Sequence, residues 1–294
     1  MAARKLVWIL LAGVIGAGGT CFAGETETEA EDFVPSQSIG SVYYHWSGES
    51  DFEDTAGATL QYQEAGISVP IPIIERDSFR VWTSLRFRYS DLDLAAGLPI
   101  DGELDLYRVN VPVNALIQTS DAWSLFLRAE PGLHSDFKEI DSDDFLISAL
   151  AVATYQWRPR TQLSFGAFYS QDLGEERLLP AIGVIWKPNA HWTFNLTAPR
   201  LTISYAPHRE LLFSAFAYPG GGSWNVTDPV TGEGTDLNYQ SIRAGGSVER
   251  ALTGPLWGYL SGGYQFAQEI EVGNLGEMDV EGAPFGSAGV RLRF

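Results

Sequence analysis

The chain has almost no cysteine, few basic residues and no long apolar segment after its N-terminus. Cys21 is the only cysteine among 294 residues, which excludes a disulfide framework. Lys and Arg number 19 against 37 Asp and Glu, giving a net charge of -18. Nucleic-acid binding depends on clustered cations, so this balance excludes nucleic acid as a partner. The longest apolar run, 145–157, is too short for a transmembrane helix, which needs roughly 20 residues.

The N-terminus has the composition of a secretory signal peptide. Arg4 and Lys5 form a basic start, an apolar stretch follows at 6–17, and small residues surround Cys21. A lipoprotein acylated at Cys21 is the alternative, although the preceding Gly-Gly-Thr matches the acylation motif poorly. The predicted organisation is a signal peptide at 1–24, an acidic and mobile periplasmic tail at 25–38, and one domain at 39–294.

The domain alternates apolar and polar residues within short segments, which is the pattern of β-strands. Two kinds of connection separate these segments in turn. The short ones are basic or contain proline, and most tryptophans lie beside them, as at Trp186 and Trp192. The long ones are acidic and cover 48–57, 91–103, 135–144, 171–177, 219–236 and 268–283. Short turns with an aromatic border and long loops at the other end are typical of outer-membrane β-barrels.

Counting strands back from a periplasmic C-terminus gives an even number. The fourteen predicted strands cover 39–47, 58–74, 79–90, 104–117, 122–133, 144–157, 161–170, 178–187, 191–198, 200–206, 209–218, 236–249, 255–267 and 284–294. If the region around Pro199 were one kinked strand, the barrel would have twelve strands; short turns on both sides favour two strands. The predicted fold is therefore all-β, a single up-and-down antiparallel transmembrane β-barrel with short periplasmic turns and long acidic extracellular loops.

Alternation within each strand predicts which side chains face lipid. In 79–90, Phe79 and Leu85 lie on one face, and Arg80 and Arg86 lie on the other. A charged side chain facing lipid near the midplane costs about 2–4 kcal/mol, so the arginines are expected inside. The predicted lumen-facing residues are Arg80, Arg86, Arg88, Arg108, Arg128, Glu130, Arg243, Arg291 and Arg293. We therefore expect a polar, arginine-bearing interior.

The last strand, 284–294, carries Val290, Leu292 and Phe294 on one face. It resembles the terminal strand of bacterial outer-membrane barrels, in which a final aromatic residue completes the insertion signal. The resemblance implies that these three residues form a membrane-insertion signal for the barrel-assembly machinery, with outer-membrane lipid as the surrounding partner. A closing strand of a soluble β-sandwich is the alternative that this segment alone leaves open.

Two turns and the terminal strand also support a family resemblance. The Trp-Lys-Pro-Asn turn at 186–189, the Tyr-Ala-Pro-His turn at 205–208 and the terminal Gly-Val-Arg-Leu-Arg-Phe follow an exported N-terminus. Together they resemble a family of uncharacterised bacterial outer-membrane β-barrel proteins, a domain of unknown function. The resemblance covers nearly the whole mature chain and implies fold and location. It implies no functional residues.

One cluster has the residue types of a hydrolase. His134 precedes Ser135 and Asp136, and outer-membrane proteases and phospholipases use His with carboxylates or Ser near the outer rim. Further carboxylates follow at Asp141, Asp143 and Asp144. A rim loop rich in Asp and Ser is more often only solvated, so we predict no catalytic residue. The acidic loops lack the spacing of a calcium loop, and we predict no metal and no cofactor.

These patterns favour one function over two alternatives. A barrel of about fourteen strands is too wide for side chains alone to fill. The leading hypothesis is a porin-like channel for small polar or anionic solutes. The alternatives are a rim hydrolase that uses His134 and nearby carboxylates, and a non-conducting structural or adhesive barrel. No pattern indicates an oligomeric state.

Overall fold

The computed structural model describes residues 32–35, 38–53, 55, 57–95, 102–172, 176–228, 232–273 and 276–293. The predicted signal peptide, residues 25–31 of the tail and Phe294 lie outside these described residues. No helix formed by the described residues is long and apolar enough to cross a bilayer.

The described residues form eighteen β-strand segments. They are β1 Gly40–Ser47, β2 Ser50–Asp51, β3 Thr59–Arg76, β4 Phe79–Ala95, β5 Gly102–Asn110, β6 Val113–Gln118, β7 Trp123–Ser135, β8 Phe145–Arg158, β9 Thr161–Ser170, β10 Arg177–Pro180, β11 Gly183–Asn189, β12 Trp192–Thr197, β13 Arg200–His208, β14 Leu211–Thr227, β15 Gly234–Thr253, β16 Leu256–Val272, β17 Glu277–Val280 and β18 Ala283–Leu292.

Within the described chain, these segments make fourteen barrel strands because four strands are interrupted. The interruptions separate β1 from β2, β5 from β6, β10 from β11, and β17 from β18, and in each case both halves pair with the same neighbouring strand. Pro112 lies between β5 and β6, and Pro180 ends β10; proline has no N–H to donate to a ladder. The region around Pro199 forms two strands, since β12 and β13 pair from Trp192–Tyr205 to Thr197–Arg200. The prediction of fourteen strands is confirmed, and the twelve-strand alternative is wrong.

The ring closes between the two ends of the sheet. Each barrel strand pairs antiparallel with the next in the chain, and β1 pairs with β18 from Gly40–Leu292 to Ser47–Phe285. A closed sheet leaves no row of unpaired backbone groups, which is the condition for strands to lie in lipid. We call the end of the barrel with the β3–β4, β8–β9, β11–β12, β13–β14 and β15–β16 turns the turn end. The opposite end, which has the long acidic connections, is the loop end. The predicted up-and-down antiparallel barrel is confirmed.

The barrel wall is uneven in height. β3, β4, β14, β15 and β16 have 17 to 20 residues, whereas β12 has 6 and β13 has 9. At about 3.3 Å per residue, the tall strands extend more than 50 Å and the short ones only about 20–30 Å. The tall strands therefore rise beyond the short part of the wall at the loop end.

The exterior is apolar and has aromatic side chains near the turn end. Trp123, Trp157 and Trp186 are exposed there, as an aromatic border at a membrane interface requires. Two other tryptophans close to turns at the same end lie inside the barrel. Trp257 is 6% exposed, and Trp82 lies 6.0 Å from the ring of Phe126 on the same face as Arg80 and Arg86. Proximity to a turn thus does not distinguish a lipid-facing ring from an interior one.

The interior at the loop end is apolar, which differs from the expected polar lumen. We call this group of buried side chains the loop-end cluster. It consists of Phe52, Ala58, Leu60, Tyr62, Leu92, Leu94, Leu106, Trp224, Val226, Leu237, Tyr239, Ile270, Val272 and Val280. These side chains come from opposite walls of the ring, so they fill the interior at the loop end. Burial of apolar surface from both sides stabilises this closure.

Candidate functional site in the barrel interior

The loop end is closed by the outer part of the β14–β15 hairpin, residues 219–227 and 234–240, which we call the crossing hairpin. It extends past the shorter strands β8–β13, and Asn225 forms a parallel bridge with Ser135 of β7. Thr227 donates its backbone N–H to Asp136 over 3.1 Å, and the Asn225 amide donates to Asp141 over 3.1 Å. The hairpin therefore spans the mouth from one wall to another.

Three successive glycines let the crossing hairpin lie against interior side chains. Gly221 has φ +107°, a conformation that residues with a Cβ rarely adopt. A Cβ on Gly222 would collide with the Arg108 guanidinium, and one on Gly220 would collide with Arg243. The three glycines thus allow the backbone of the hairpin to lie close to Arg108 and Arg243. The sequence alone does not indicate this contact.

Arg108 is the centre of a buried polar network beneath the loop-end cluster. Its side chain is 1% exposed, and its guanidinium lies 2.6 Å from Glu64 and 3.5 Å from Asp172. It also donates to the Gly221 carbonyl over 3.0 Å and lies 4.9 Å from the Trp224 ring centroid. One cation therefore connects strands β3 and β5, the β9–β10 connection and the crossing hairpin. We call Arg108, Glu64, Asp172 and His134 the Arg108 network.

Glu64 is a member of this network that the sequence-predicted site omits. Tyr43 donates a short hydrogen bond to its carboxylate, and Tyr62 donates another over 2.6 Å. The hydroxyl of Ser90 lies 3.5 Å away. Alternation along β3 could have predicted Glu64 as a site residue, because it lies on the same face as Tyr62. A carboxylate on the interior face of a strand needs a cation or several hydrogen-bond donors.

Asp172 lies in the β9–β10 connection, within the acidic loop predicted at 171–177. Burial opposes its ionisation, but the Arg108 guanidinium and the hydrogen bond from His134 outweigh burial and hold the pKa of Asp172 well below its usual range. Asp172 also accepts the backbone N–H of Ser223 over 3.0 Å. It therefore joins Arg108 to the crossing hairpin as a carboxylate.

His134 does not have the surroundings of a hydrolase base. It is 1% exposed, its Nε2 lies 2.9 Å from the Asn110 amide and its Nδ1 lies 3.1 Å from the Ser223 carbonyl. The nearest carboxylate is Asp172, at 3.4 Å. The carboxylates expected beside it hold backbone N–H groups instead: Asp136 accepts from Lys138, Asp141 from Asp143, and Asp144 from Asp141. The arrangement fixes the hairpin and presents no nucleophile.

Most of the other sequence-predicted residues form separate polar groups nearer the turn end. Arg86 pairs with Glu130 at 2.9 Å, and Arg128 donates to the side-chain carbonyl of Asn114 over 2.7 Å. Arg291 and Arg293 both pair with Glu249, and Arg80 lies opposite Glu75 beside the β3–β4 turn.

Arg243 lies at the loop end instead. It donates to Gln265, and its guanidinium lies 5.4 Å from the ring centroid of Tyr62.

A cavity of about 230 Å³ lies on the turn-end side of the Arg108 network, and we call it the arginine cavity. It is lined by Ser38, Ile39, Gly40, Ser41, Tyr43, Ile67, Ser68, Arg86 and Arg88. Among the described residues, no ion pair involves Arg88, whereas Arg86 pairs with Glu130. The Arg88 guanidinium interacts with Glu64 and Asp172 only through longer-range attraction. The cavity therefore presents a guanidinium without a direct ion pair beside serine hydroxyls, which are groups that bind carboxylate, sulfate or phosphate oxygens. No three His, Cys, Asp or Glu side chains of the described residues are placed to hold a metal ion.

Several solved structures are similar to the chain. A NanC porin has 11% identity, covering 87% of this chain and 100% of its own, with a TM-score of 0.42. The Pseudomonas putida toluene transporter TodX has 9% identity, covering 89% and 91%, with a TM-score of 0.40. The translocator domain of the autotransporter NalP from Neisseria meningitidis has 9% identity, covering 87% and 89%, with a TM-score of 0.37. At such identities the likeness concerns the fold alone.

Sequence comparisons give the family. Among curated proteins, none matches the chain. The family model described as a domain of unknown function, DUF6268, matches residues 31–275, from the N-terminal tail to the connection after β16. The resemblance drawn from the turns and the terminal strand is therefore confirmed. Since the match covers most of the 294 residues, the chain belongs to the DUF6268 family, a domain of unknown function.

Proposed function

We propose that the chain is an outer-membrane channel for small anionic solutes whose loop end opens when the crossing hairpin moves. The observation that carries this proposal is the arginine cavity, which lies inside a closed barrel and contains Arg88, whose guanidinium forms no direct ion pair with the described residues. The surrounding arginines outnumber the carboxylates by one. They are Arg86, Arg88, Arg108 and Arg128, opposed by Glu64, Glu130 and Asp172. The excess positive charge favours an anion at Arg88.

The crossing hairpin fills the loop end, so a channel requires this hairpin to move. The loop-end cluster and the Arg108 network together block the barrel axis above the arginine cavity. The glycines at 220–222 give this part of β14 more backbone freedom than the strand on either side. Passage of a solute therefore requires the hairpin to separate from β7 and from Arg108.

We also propose the outer membrane as the location. The closed sheet, the exposed apolar wall and the tryptophans near the turn end support it. Lipid would cover the exterior wall, and the barrel-assembly machinery would act on the terminal strand. Val290 and Leu292 alternate there with Arg291, whose guanidinium contacts Glu249. The signal peptide predicted at 1–24 agrees with this location.

The test is the reversal potential of the refolded protein in a planar bilayer under a potassium chloride gradient. We expect the wild-type chain to prefer chloride, and Arg88→Gln to lower the anion-to-cation permeability ratio several-fold. Arg158→Gln is the matched control, since its guanidinium lies over Trp157 at the turn end and outside the cavity. An unchanged ratio in Arg88→Gln, or equal effects of the two substitutions, would contradict the anion preference.

A second candidate is a non-conducting structural barrel. The loop-end cluster favours it, because fourteen buried apolar residues make a permanent closure energetically stable. The absence of any current from wild-type protein and from variants with a weakened Arg108 network would support this candidate. The hydrolase alternative has no geometric support, because both ring nitrogens of His134 face protein atoms.

A further inference from the structure

The described part of the N-terminal tail, Asp32–Pro35, packs against the barrel; we call it the N-terminal segment. Phe33 donates its backbone N–H to the Ala190 carbonyl over 2.7 Å. Its ring meets the His191 ring edge-on, with centroids 4.5 Å apart and an interplanar angle of 86°. The Arg209 guanidinium lies 5.6 Å from the same ring centroid. A tail without contacts, as the acidic composition suggested, would make none of these interactions.

The side chains that receive the N-terminal segment belong to the interior of the ring. Phe33 and Val34 pack against Ala206, Leu212 and Trp257, which are all buried. Leu212 lies opposite Glu249 across the β14–β15 pair, and Trp257 lies opposite Arg291. Glu249 and Arg291 form an ion pair with each other inside the barrel. The segment therefore enters the mouth at the turn end.

The path of the chain carries the segment across this mouth. β1 begins at Gly40, and the residue bonded to Phe33, Ala190, lies between β11 and β12. In the ring order, β12 is six barrel strands away from β1, almost opposite it among fourteen. Seven Cα–Cα steps lead from Phe33 to Gly40 and can extend about 24 Å, enough for a chord across the opening. The covalent link to β1 also gives the segment a high effective concentration at this site.

Charge favours the same position. Asp32 pairs with Lys187 at 2.7 Å and lies 4.0 Å from Arg160. Lys187 lies on β11 and Arg160 lies in the β8–β9 turn, so both cations belong to the turn end. An acidic segment next to basic turns gains Coulomb energy that salt reduces.

We propose that the turn-end mouth is a docking site for Asp32–Pro35 and that the docked segment obstructs the barrel at that end. Phe33 and Val34 supply the apolar contact, and Asp32 supplies the charge that selects the basic rim. The barrel would then be closed by the crossing hairpin at one end and by its own N-terminal segment at the other. This inference does not rest on the proposed channel, because docking is measurable whether or not the barrel conducts.

Cysteine labelling of the refolded full chain tests the docking, in a Cys21→Ser background that leaves no native thiol. Val34→Cys reports the docked segment, and Ser78→Cys, at an exposed position of the β3–β4 turn, is the control. We expect a charged maleimide to label Val34→Cys about tenfold more slowly than Ser78→Cys, since a docked site reacts only when it opens. Adding Phe33→Ala and Asp32→Asn should remove the difference.

Three outcomes decide the proposal. Equal labelling rates at the two positions in folded protein overturn it. A slow rate at Val34→Cys that Phe33→Ala and Asp32→Asn do not change also overturns it, because burial would then have another cause. A slow rate that rises in 1 M salt and in the Asp32→Asn background supports it, because salt screens the pairs with Lys187 and Arg160.

Discussion

Replacement of Arg108 by alanine is the sharpest perturbation of the barrel interior. The guanidinium is the cation that faces both Glu64, at 2.6 Å, and Asp172, at 3.5 Å. Its removal leaves two carboxylates in a site from which water is largely excluded. Glu64 keeps the hydroxyls of Tyr43 and Tyr62 as donors, so the site would not be wholly unsatisfied.

The expected magnitude follows from burial. Removal of one partner from a buried ion pair costs about 3–5 kcal/mol, because the remaining charge loses its compensation. Arg86→Ala is the matched control, since that side chain is 27% exposed and pairs with Glu130 in a more hydrated part of the interior. A pair with that access to water contributes about 1 kcal/mol. The two substitutions should therefore differ by about 2–4 kcal/mol.

The assay is urea-induced unfolding of the protein from lipid vesicles, followed by tryptophan fluorescence and by heat modifiability on gels. We expect Arg108→Ala to shift the unfolding midpoint far more than Arg86→Ala does. If both variants lose the same free energy of unfolding, the network does not stabilise the loop end, and the argument from burial is wrong.

Other perturbations address the crossing hairpin. Gly222→Ala should destabilise the protein by about 1–3 kcal/mol because the added Cβ meets Arg108, whereas Gly286→Ala, with open space at its Cβ, should have little effect on the same urea titration. Trp224→Ala should cost about 3–5 kcal/mol by leaving a cavity in the loop-end cluster, and a loss below 1 kcal/mol would mean that the cluster is loosely packed. Since its partners hold the pKa of Asp172 below the usual value, this carboxylate contributes stability that is fully present above about pH 4 and is lost as the pH falls further. Asp172→Asn should therefore flatten the acid side of a stability-versus-pH curve, and an unchanged acid slope would contradict the assignment.

The barrel was predictable because its signals repeat along the chain. Each strand has period two, and the parity of turns and loops fixes direction, so even the short strands at 191–198 and 200–206 were recovered as β12 and β13. The limits of the tall strands were less accurate. β14 was expected to end at 218 but continues to Thr227, because its extension pairs with β15 as far as Gly234.

The closed interior was not predictable from the same pattern. Leu92 and Leu94 lie on the interior face of β4, continuing the face that carries Arg86 and Arg88, and alternation cannot say that such a face meets an opposite wall. The sequence pattern places Asp172 in an acidic loop, and nothing in the sequence predicts its contact with Arg108. Only the ring closure and the bend at the glycines bring such distant segments together.

The most direct test of a gated barrel is the single-channel record of the refolded wild-type chain beside Asp172→Asn, with Asp143→Asn as the control in an exposed part of the β7–β8 loop. Asp172→Asn removes one of the two charges that hold Arg108 against the crossing hairpin. We predict that the wild type is closed for most of the record, that Asp172→Asn opens several-fold more often, and that Asp143→Asn matches the wild type. A complete absence of current from all three folded proteins would contradict the channel, and an open probability unaffected by Asp172→Asn would contradict the gate.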